Sequence, residues 1–288
     1  MDNYIKFNQE FISLYAMPIN YLTAIRSRHS HAYIRIEPDP VVAAYVEGFY
    51  LFKGEFNDQS IPLFNDGYPS LLCMPSSESI SFTGTRQGEQ LLQSFWICGN
   101  ILQPTYWHAE SINGSILIVR FYPHTISHIF GTSSDFFTSN PVQNLTNLLE
   151  EESYLQLKKT YYASQCLQRQ IITIETFIKT RATETVPIPP ILMDRLSNIQ
   201  HSEFLGNRNI TTAIHYKWLQ RSFKKYVGFS QKQYINLHRF LEAYKELYIN
   251  KEHPLIQIAL EVGYYDDNHL IKDFKKYIGT SPKAHFSR

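Results

Sequence analysis

Leu219–Ser230 reads LQRSFKKYVGFS, and Leu270–Ser281 reads LIKDFKKYIGTS. The two stretches lie 51 residues apart and share Leu, Phe, Lys, Lys, Tyr, Gly and Ser at seven of twelve positions. Agreement of that quality marks two copies of one supersecondary unit. The second copy is the easier to read. Pro254 suits the first turn of a helix, where its missing N–H costs nothing. Leu255, Ile258, Ala259 and Val262 then recur at i, i+3, i+4 and i+7, one apolar face. Gly263 takes the left-handed conformation that ends this helix. Asp266 is an N-cap for the next, which runs to about Tyr277 with Leu270, Phe274 and Ile278 inward. Gly279 closes it, and Ser281-Pro282 opens a last short helix. A short helix, a glycine turn and a second helix make a helix-turn-helix.

The outward face of the second copy carries Asn268, His269, Lys272, Lys275 and Lys276; the first copy shows Lys217, Gln220, Arg221, Lys224 and Lys225. Amides and cations on one exposed helix face match what nucleic acid presents. Asn or Gln pairs bidentately with adenine, and Arg or Lys with guanine. Paired lysines near a helix end suit phosphates, so Lys224, Lys225, Lys275 and Lys276 are expected there. Between the copies, Gln231–Ile249 reads as one amphipathic helix with Tyr234, Leu237, Leu241, Tyr244 and Leu247 or Tyr248 inward. At 1.5 Å per residue it is about 28 Å long. A rigid spacer of that size sets two recognition helices about one DNA turn apart, so one chain can read two successive major grooves.

Charge follows the same division. Residues 1–187 hold 12 basic and 17 acidic side chains, net −5; residues 188–288 hold 15 and 9, net +6. A basic module attached to an acidic one is the pattern of a nucleic-acid reader joined to a control domain.

The C-terminal hundred residues resemble the AraC/XylS family of bacterial transcription regulators. Ile258-Ala259-Leu260-Glu261-Val262-Gly263-Tyr264, Asp266-Asp267-Asn268-His269-Leu270, Phe274-Lys275-Lys276 and Gly279-Thr280-Ser281-Pro282 carry the resemblance. Leu219-Gln220-Arg221, Phe223-Lys224-Lys225, Gly228 and Arg239-Phe240-Leu241-Glu242-Ala243 fit its first half. The resemblance implies seven helices with two helix-turn-helix units. It implies base contacts from Lys217, Gln220 and Arg221 in the first unit and from Asp267, Asn268, His269 and Lys272 in the second. The chain departs from the family upstream of Leu219: where a Leu-Ala pair and a small turn residue are usual, it has Arg208-Asn209 and Ala213. Asp267 either accepts from a cytosine amino group or simply favours the helix N-terminus.

Residues 1–148 read as mostly β. Val41–Phe52, Ser70–Phe82, Leu91–Ile97 and Ser115–Phe121 are short apolar runs, separated by the turn signals Asn65-Asp66-Gly67, Gly99-Asn100 and Asn113-Gly114. Short strands at this spacing predict an antiparallel sandwich or barrel. Such a domain can hold a small molecule among its aromatics, although most of these are expected to be core. Asp66-Gly67-Tyr68-Pro69, Gly99-Asn100 and Arg120-Phe121-Tyr122-Pro123 resemble the cupin-like sensor of one AraC-type branch. That resemblance implies effector sensing, dimerisation or both. Residues 149–182 read as helical, with a stripe at Leu155, Tyr162, Leu167, Ile171, Ile174 and Ile178 that packs on the β domain or on a second copy. Three prolines in Thr183–Pro190 stiffen an extended linker. The expected architecture is therefore α+β: a β-rich domain at 1–148, a helical dimerisation or packing segment at 149–182, a linker at 183–190 and a helical DNA-binding domain at 191–288.

Other classes rank lower. His29, His31 and Glu37 approach a cupin metal site, but the gap to Glu37 is one residue too long, and a surface or structural pair is the simpler reading. His108 and His124 read as structural and Cys98 as core. No nucleophile elbow, P-loop or zincin motif is present. No enzyme, cofactor or metal is expected. Cys73, Cys98 and Cys166 stand far apart, no apolar run reaches about 18 residues, and the N-terminus does not read as a signal peptide. A cytoplasmic, sequence-specific regulator fits, with double-stranded DNA as partner and no membrane. A small-molecule effector, RNA polymerase and a homodimer are further partners the reading allows. The alternatives are a ligand- or protein-binding module whose helical domain no longer reads DNA, and a metal-dependent cupin enzyme.

Overall fold

The computed structural model describes residues 33–56, 59–63, 67–85, 88–99, 101–109, 112–132, 136–139, 141–182, 188–201, 213–250 and 252–286. Side-chain alternation organises the first part. Strands β1 (Tyr33–Ile36), β2 (Val46–Phe56), β4 (Ser70–Cys73), β7 (Phe95–Cys98), β9 (Ile112–Phe121) and β10 (Val142–Asn144) form an antiparallel sheet in the order β1-β2-β9-β4-β7-β10. Successive side chains of a strand point to opposite faces. One face presents Phe49, Leu51, Leu71, Cys73, Phe95, Ile97, Leu117 and Val119; the other presents Tyr50, Leu72, Trp96, Cys98, Ile116 and Ile118. Both faces are buried, which is why these strands read as unbroken apolar runs.

The second face is covered by a smaller antiparallel sheet of β3 (Gln59–Leu63), β8 (Thr105–Ala109), β5 (Ser81–Thr85) and β6 (Gly88–Leu92), in the order β3-β8-β5-β6. Its Leu63, Leu92 and Trp107 meet Tyr50, Leu72 and Trp96. Trp96 and Trp107 lie 5.9 Å apart, so aromatic side chains fill this interior. The first face is covered by helices α1 (Ile126–Phe130), α3 (Glu151–Tyr162) and α4 (Leu167–Ala182); a short α2 (Phe136–Ser139) precedes β10. Phe95 is the anchor, edge-on to Tyr154 at 6.3 Å and Tyr161 at 5.2 Å.

Several expected boundaries move. Ser70–Phe82 divides into β4 and β5, and Leu91–Ile97 divides between strands of different sheets. Asn113-Gly114 is no turn: Gly114 pairs with Gly54 inside β9. Of the expected helical stripe, Ile171, Ile174 and Ile178 are buried against the sheet, but Leu155 is 53% exposed. The buried face of α3 is Tyr154, Leu157 and Tyr161, so its phase differs by one position.

A charged network is built into the large sheet. The register between β2 and β9 slips between Val46 and Gly48, a bulge that turns Glu47 towards the sheet end. Glu47 meets Arg35 at 3.2 Å and Arg120 at 3.6 Å, and accepts a hydrogen bond of 2.8 Å from the Tyr50 hydroxyl. Arg120 is buried and lies 3.9 Å over the Tyr68 ring. Beside this network, the His124 ring stacks on Tyr122 at 6.0 Å and is 4% exposed. Burial, with a contribution from His128, pulls its pKa from 6.5 down to about 4. The folded state therefore favours neutral His124. That contribution is complete above the ordinary histidine range and is lost as pH falls from 6.5 towards 4. Urea unfolding should show a wild-type loss over this window that exceeds that of His124→Asn by about 3 kcal/mol. Parallel pH profiles for the two proteins would contradict it.

The helical part begins with α5 (Pro190–His201) and continues through α6 (Ala213–Ser222), a π-helical turn (Phe223–Val227), α7 (Gln231–Ile249), α8 (Leu255–Glu261), α9 (Asp267–Tyr277) and α10 (Pro282–Phe286). Helix α7 runs over the residues expected of it. Ser230 and Gln233 form a capping box at its start, and Tyr234, Leu237, Phe240 and Tyr244 are its buried face. The segment expected to hold the first unit's supporting helix, including Arg208-Asn209, lies outside the described residues.

Candidate nucleic-acid interface

The second unit is assembled by local signals. Gly263 has φ +83, and no atom within 4 Å opposes a Cβ there, so the left-handed backbone is what requires glycine. The Asp266 side chain accepts from the His269 N–H at 2.8 Å and caps α9. Leu270, Phe274, Tyr277 and Ile278 are buried, which leaves Asn268, His269, Lys272, Lys275 and Lys276 exposed on the opposite face. Asp267 is half-buried. The His269 ring stays close to its own cap, 3.5 Å from Asp266, and meets Tyr265 edge-on at 6.3 Å. The helix is also clamped from behind. Asp273 accepts from the Tyr264 hydroxyl at 2.9 Å and faces Arg239 of α7 at 3.9 Å, while Arg239 lies 4.2 Å over the Tyr264 ring. Burial, reinforced by Asp273, pushes the Tyr264 phenol far up, so it stays a donor.

In the first unit, Lys217, Arg221, Lys224 and Lys225 are exposed and Gln220 is half-buried. The repeat survives in detail. Lys225 lies 5.0 Å over the Tyr226 ring, and Lys276 lies 4.6 Å over the Tyr277 ring. Gly228 and Gly279 both have positive φ, 79° and 87°. One difference stands out. The Gly228 N–H reaches Phe223 at 3.1 Å, five residues back, whereas the Gly279 N–H reaches Lys275 at 3.1 Å, four residues back. The first copy thus ends in a π turn and the second in an α turn.

The expected contact residues therefore fall on two exposed, cationic helix faces, each anchored by a buried phenylalanine. Tyr265 was not among those expected. It is 84% exposed, one residue before the cap of α9, beside His269.

Among the described residues, the β part touches the helical part at several places. The Tyr106 hydroxyl donates to the Ile278 carbonyl at 3.2 Å, with Pro104 and Tyr106 packed against Gly279. Gly67 sits against Tyr234, so close that a Cβ would lie 2.8 Å from the ring. His128 of α1 stacks on Tyr226 at 6.0 Å. Residues at the start of β8, after β3 and on α1 thus reach the second unit, the connecting helix and the first unit respectively.

Other candidate sites are less developed. Among the described residues no group of three or more His, Cys, Asp or Glu is arranged to hold a metal ion. His29 and His31 lie outside the described residues, and Glu37 pairs with Arg35. His108 is half-buried on β8, and Cys98 is core. A small apolar cleft of about 110 Å³ lies between Val41–Tyr45 and α4. No described helix is long and apolar enough to cross a membrane.

A family profile described as a helix-turn-helix domain matches residues 211–288. The HTH-type transcriptional activator AarP of Providencia stuartii is 40% identical over 70 residues, 24% of this chain and 51% of AarP, so the match spans about half of that relative. The probable transcription factor PqrA of Proteus vulgaris is 37% identical over 88 residues, 30% of this chain and 71% of PqrA. Among solved structures, ToxT from Vibrio cholerae O395 bound to (E)-4-(8-methylnaphthalen-1-yl)but-3-enoic acid is 13% identical, with a TM-score of 0.40 over 83% of this chain and 97% of that one. With its repeated helix-turn-helix signature and a relative matched over most of its length, the chain belongs to the AraC/XylS family of transcription regulators.

Proposed function

We propose that the protein is a cytoplasmic, sequence-specific DNA-binding regulator in which α6 and α9 each enter a major groove of one duplex. The observation that carries this reading is the pair of matched cationic helix faces on either side of the rigid α7. Lys217, Gln220 and Arg221 read bases in one groove; Asp267, Asn268, His269 and Lys272 read the next; Lys224, Lys225, Lys275 and Lys276 hold phosphates. Tyr265 joins the second set and offers an apolar edge to a thymine methyl. Residues 1–148 act as the control domain, 149–182 as a helical packing or dimerisation segment, 183–190 as the linker and 191–288 as the reader. The reading needs no catalysis.

Control by the β domain follows from its contacts with the reader. An effector that binds one arrangement of those contacts better than another shifts the spacing or freedom of α6 and α9. The effector is a small molecule or a protein, with RNA polymerase as a second protein partner.

Selection of genomic fragments by the purified protein at two salt concentrations tests the reading. It should return two half-sites about 10 base pairs apart. Affinity should fall steeply with salt as counterions are released. No enrichment at low salt, with or without stabilising small molecules, would favour a binding module that no longer reads DNA. On the recovered site, Lys272→Ala should cost about 1–3 kcal/mol and relax specificity at one position. Equal loss on random-sequence DNA would reduce Lys272 to a phosphate contact.

A further inference from the structure

The geometry points to Trp218 as a further specificity-determining residue, whose indole packs on the 5-methyl group of a thymine in the groove that α6 enters. The inference rests on the reading of α6 as a recognition helix and adds an apolar contact to it. Trp218 is 37% exposed, whereas the other two tryptophans of the chain, Trp96 and Trp107, are 0% and 1% exposed. A tryptophan carries a large apolar surface that a folded chain gains by burying. Trp218 stands instead among the cations of the first unit. Lys217 precedes it, and Arg221 follows at i+3, its neighbour on the helix surface; both are exposed. Leu219 and Phe223 are buried and fix the inward side of the unit.

The internal repeat supports the same placement independently. The offset of 51 residues that matches Leu219 to Leu270 and Phe223 to Phe274 also matches Lys217 to Asn268, Arg221 to Lys272 and Trp218 to His269. Asn268, His269 and Lys272 are exposed together on α9. Trp218 therefore occupies, in the first unit, the place that His269 occupies in the second.

The exchange of imidazole for indole changes what that place can read. An imidazole donates to and accepts from a base edge. An indole has one N–H donor, no acceptor and a broad apolar face. The apolar feature that a base pair shows in the major groove is the thymine methyl group. Lys217, Gln220 and Arg221 are all polar and read donors and acceptors. Trp218 adds a preference for thymine over cytosine that needs no hydrogen bond. The half-site of the first unit therefore contains a thymine whose methyl group is recognised.

The test uses the full chain, the duplex it selects, and copies of that duplex in which each thymine in turn is replaced by deoxyuridine, which lacks only the methyl group. Wild-type affinity should fall about fourfold at the position read by Trp218, the worth of burying one such group. Trp218→Ala should bind the unaltered duplex about fourfold or more weakly and show no further loss at that position. Trp218→Phe, which keeps an aromatic face, should retain part of the discrimination. Intrinsic fluorescence gives a second readout, because Trp96 and Trp107 are buried. Acrylamide should quench part of the emission of the free wild type, that part should be absent from Trp218→Phe, and the duplex should protect it. Equal losses for Trp218→Ala on thymine and deoxyuridine at every position would make Trp218 a sugar contact and overturn the proposal. So would an indole that stays open to acrylamide in the complex. Either result leaves the DNA-binding reading standing. A protein that selects no duplex overturns that reading, and this proposal with it.

Discussion

Glu47→Gln should destabilise the β part by about 3–5 kcal/mol, the scale of breaking a buried ion pair. Glutamine has the shape of glutamate and still accepts from the Tyr50 hydroxyl, so little packing is lost. What is lost is a negative charge that both Arg35 and Arg120 face, 3.2 and 3.6 Å away. Arg120 cannot deprotonate and, at 1% exposure, cannot turn to water. The Tyr68 ring beneath it compensates only in part. Urea unfolding followed through the tryptophans of the β part checks the size of the effect. The midpoint should fall with an unchanged slope. Lys179→Gln removes the exposed pair with Asp39, 3.1 Å apart, and should cost below about 1 kcal/mol. If the two substitutions cost the same, Glu47 is solvated and the network is ornamental to stability.

The helical repeat was legible because its punctuation is local. Pro254, Gly263, Asp266, Gly279 and Ser281 each act on the backbone within a few residues; the last four sit where the sequence placed them, and Pro254 is the N-cap, one residue before the first turn expected of it. The exposed face followed, since fixing Leu270 and Phe274 inward fixes Lys272 outward. The exposure of Tyr265 was not legible, because periodicity does not extend through a turn. In the pair Tyr264-Tyr265 nothing in the sequence says which ring is buried; the clamp by Arg239 and Asp273 decides it. The π turn was also invisible. Phe-Lys-Lys-Tyr is identical in both copies, and what differs around it is Val227 for Ile278, Phe229 for Thr280 and the His128 ring stacked on Tyr226. In the β part, strands buried on both faces gave apolar runs without edges, so Leu91–Ile97 read as one strand although it crosses between sheets. The bulge at Glu47 depends on a pairing partner more than seventy residues away, beyond any local signal.

Phe274→Ala and Phe223→Ala should each remove one half of the DNA footprint and leave the other. Both side chains are fully buried, and truncation of a core phenylalanine costs about 3–5 kcal/mol. Phe274 holds α9 against Phe240 at 5.3 Å, Tyr244 at 5.8 Å and Phe286 at 5.8 Å. Phe223 holds the end of the first unit against Tyr234 at 5.9 Å. The two phenylalanines occupy equivalent places in the repeat but rest on different turns of α7, so loss of one loosens one recognition helix more than the other. With several base contacts per helix, each at about 1–3 kcal/mol, specific affinity should fall by more than about 100-fold in either variant. Footprinting on the selected site separates the outcomes. Protection should survive over the half read by α6 in Phe274→Ala and over the half read by α9 in Phe223→Ala, with the circular dichroism of the β part unchanged. Loss of both halves in both variants would mean that α7 transmits the disturbance and that the two helices fold as one cooperative unit. Unchanged protection in Phe223→Ala alone would mean that only α9 reads bases, and that the first copy serves as a support for it.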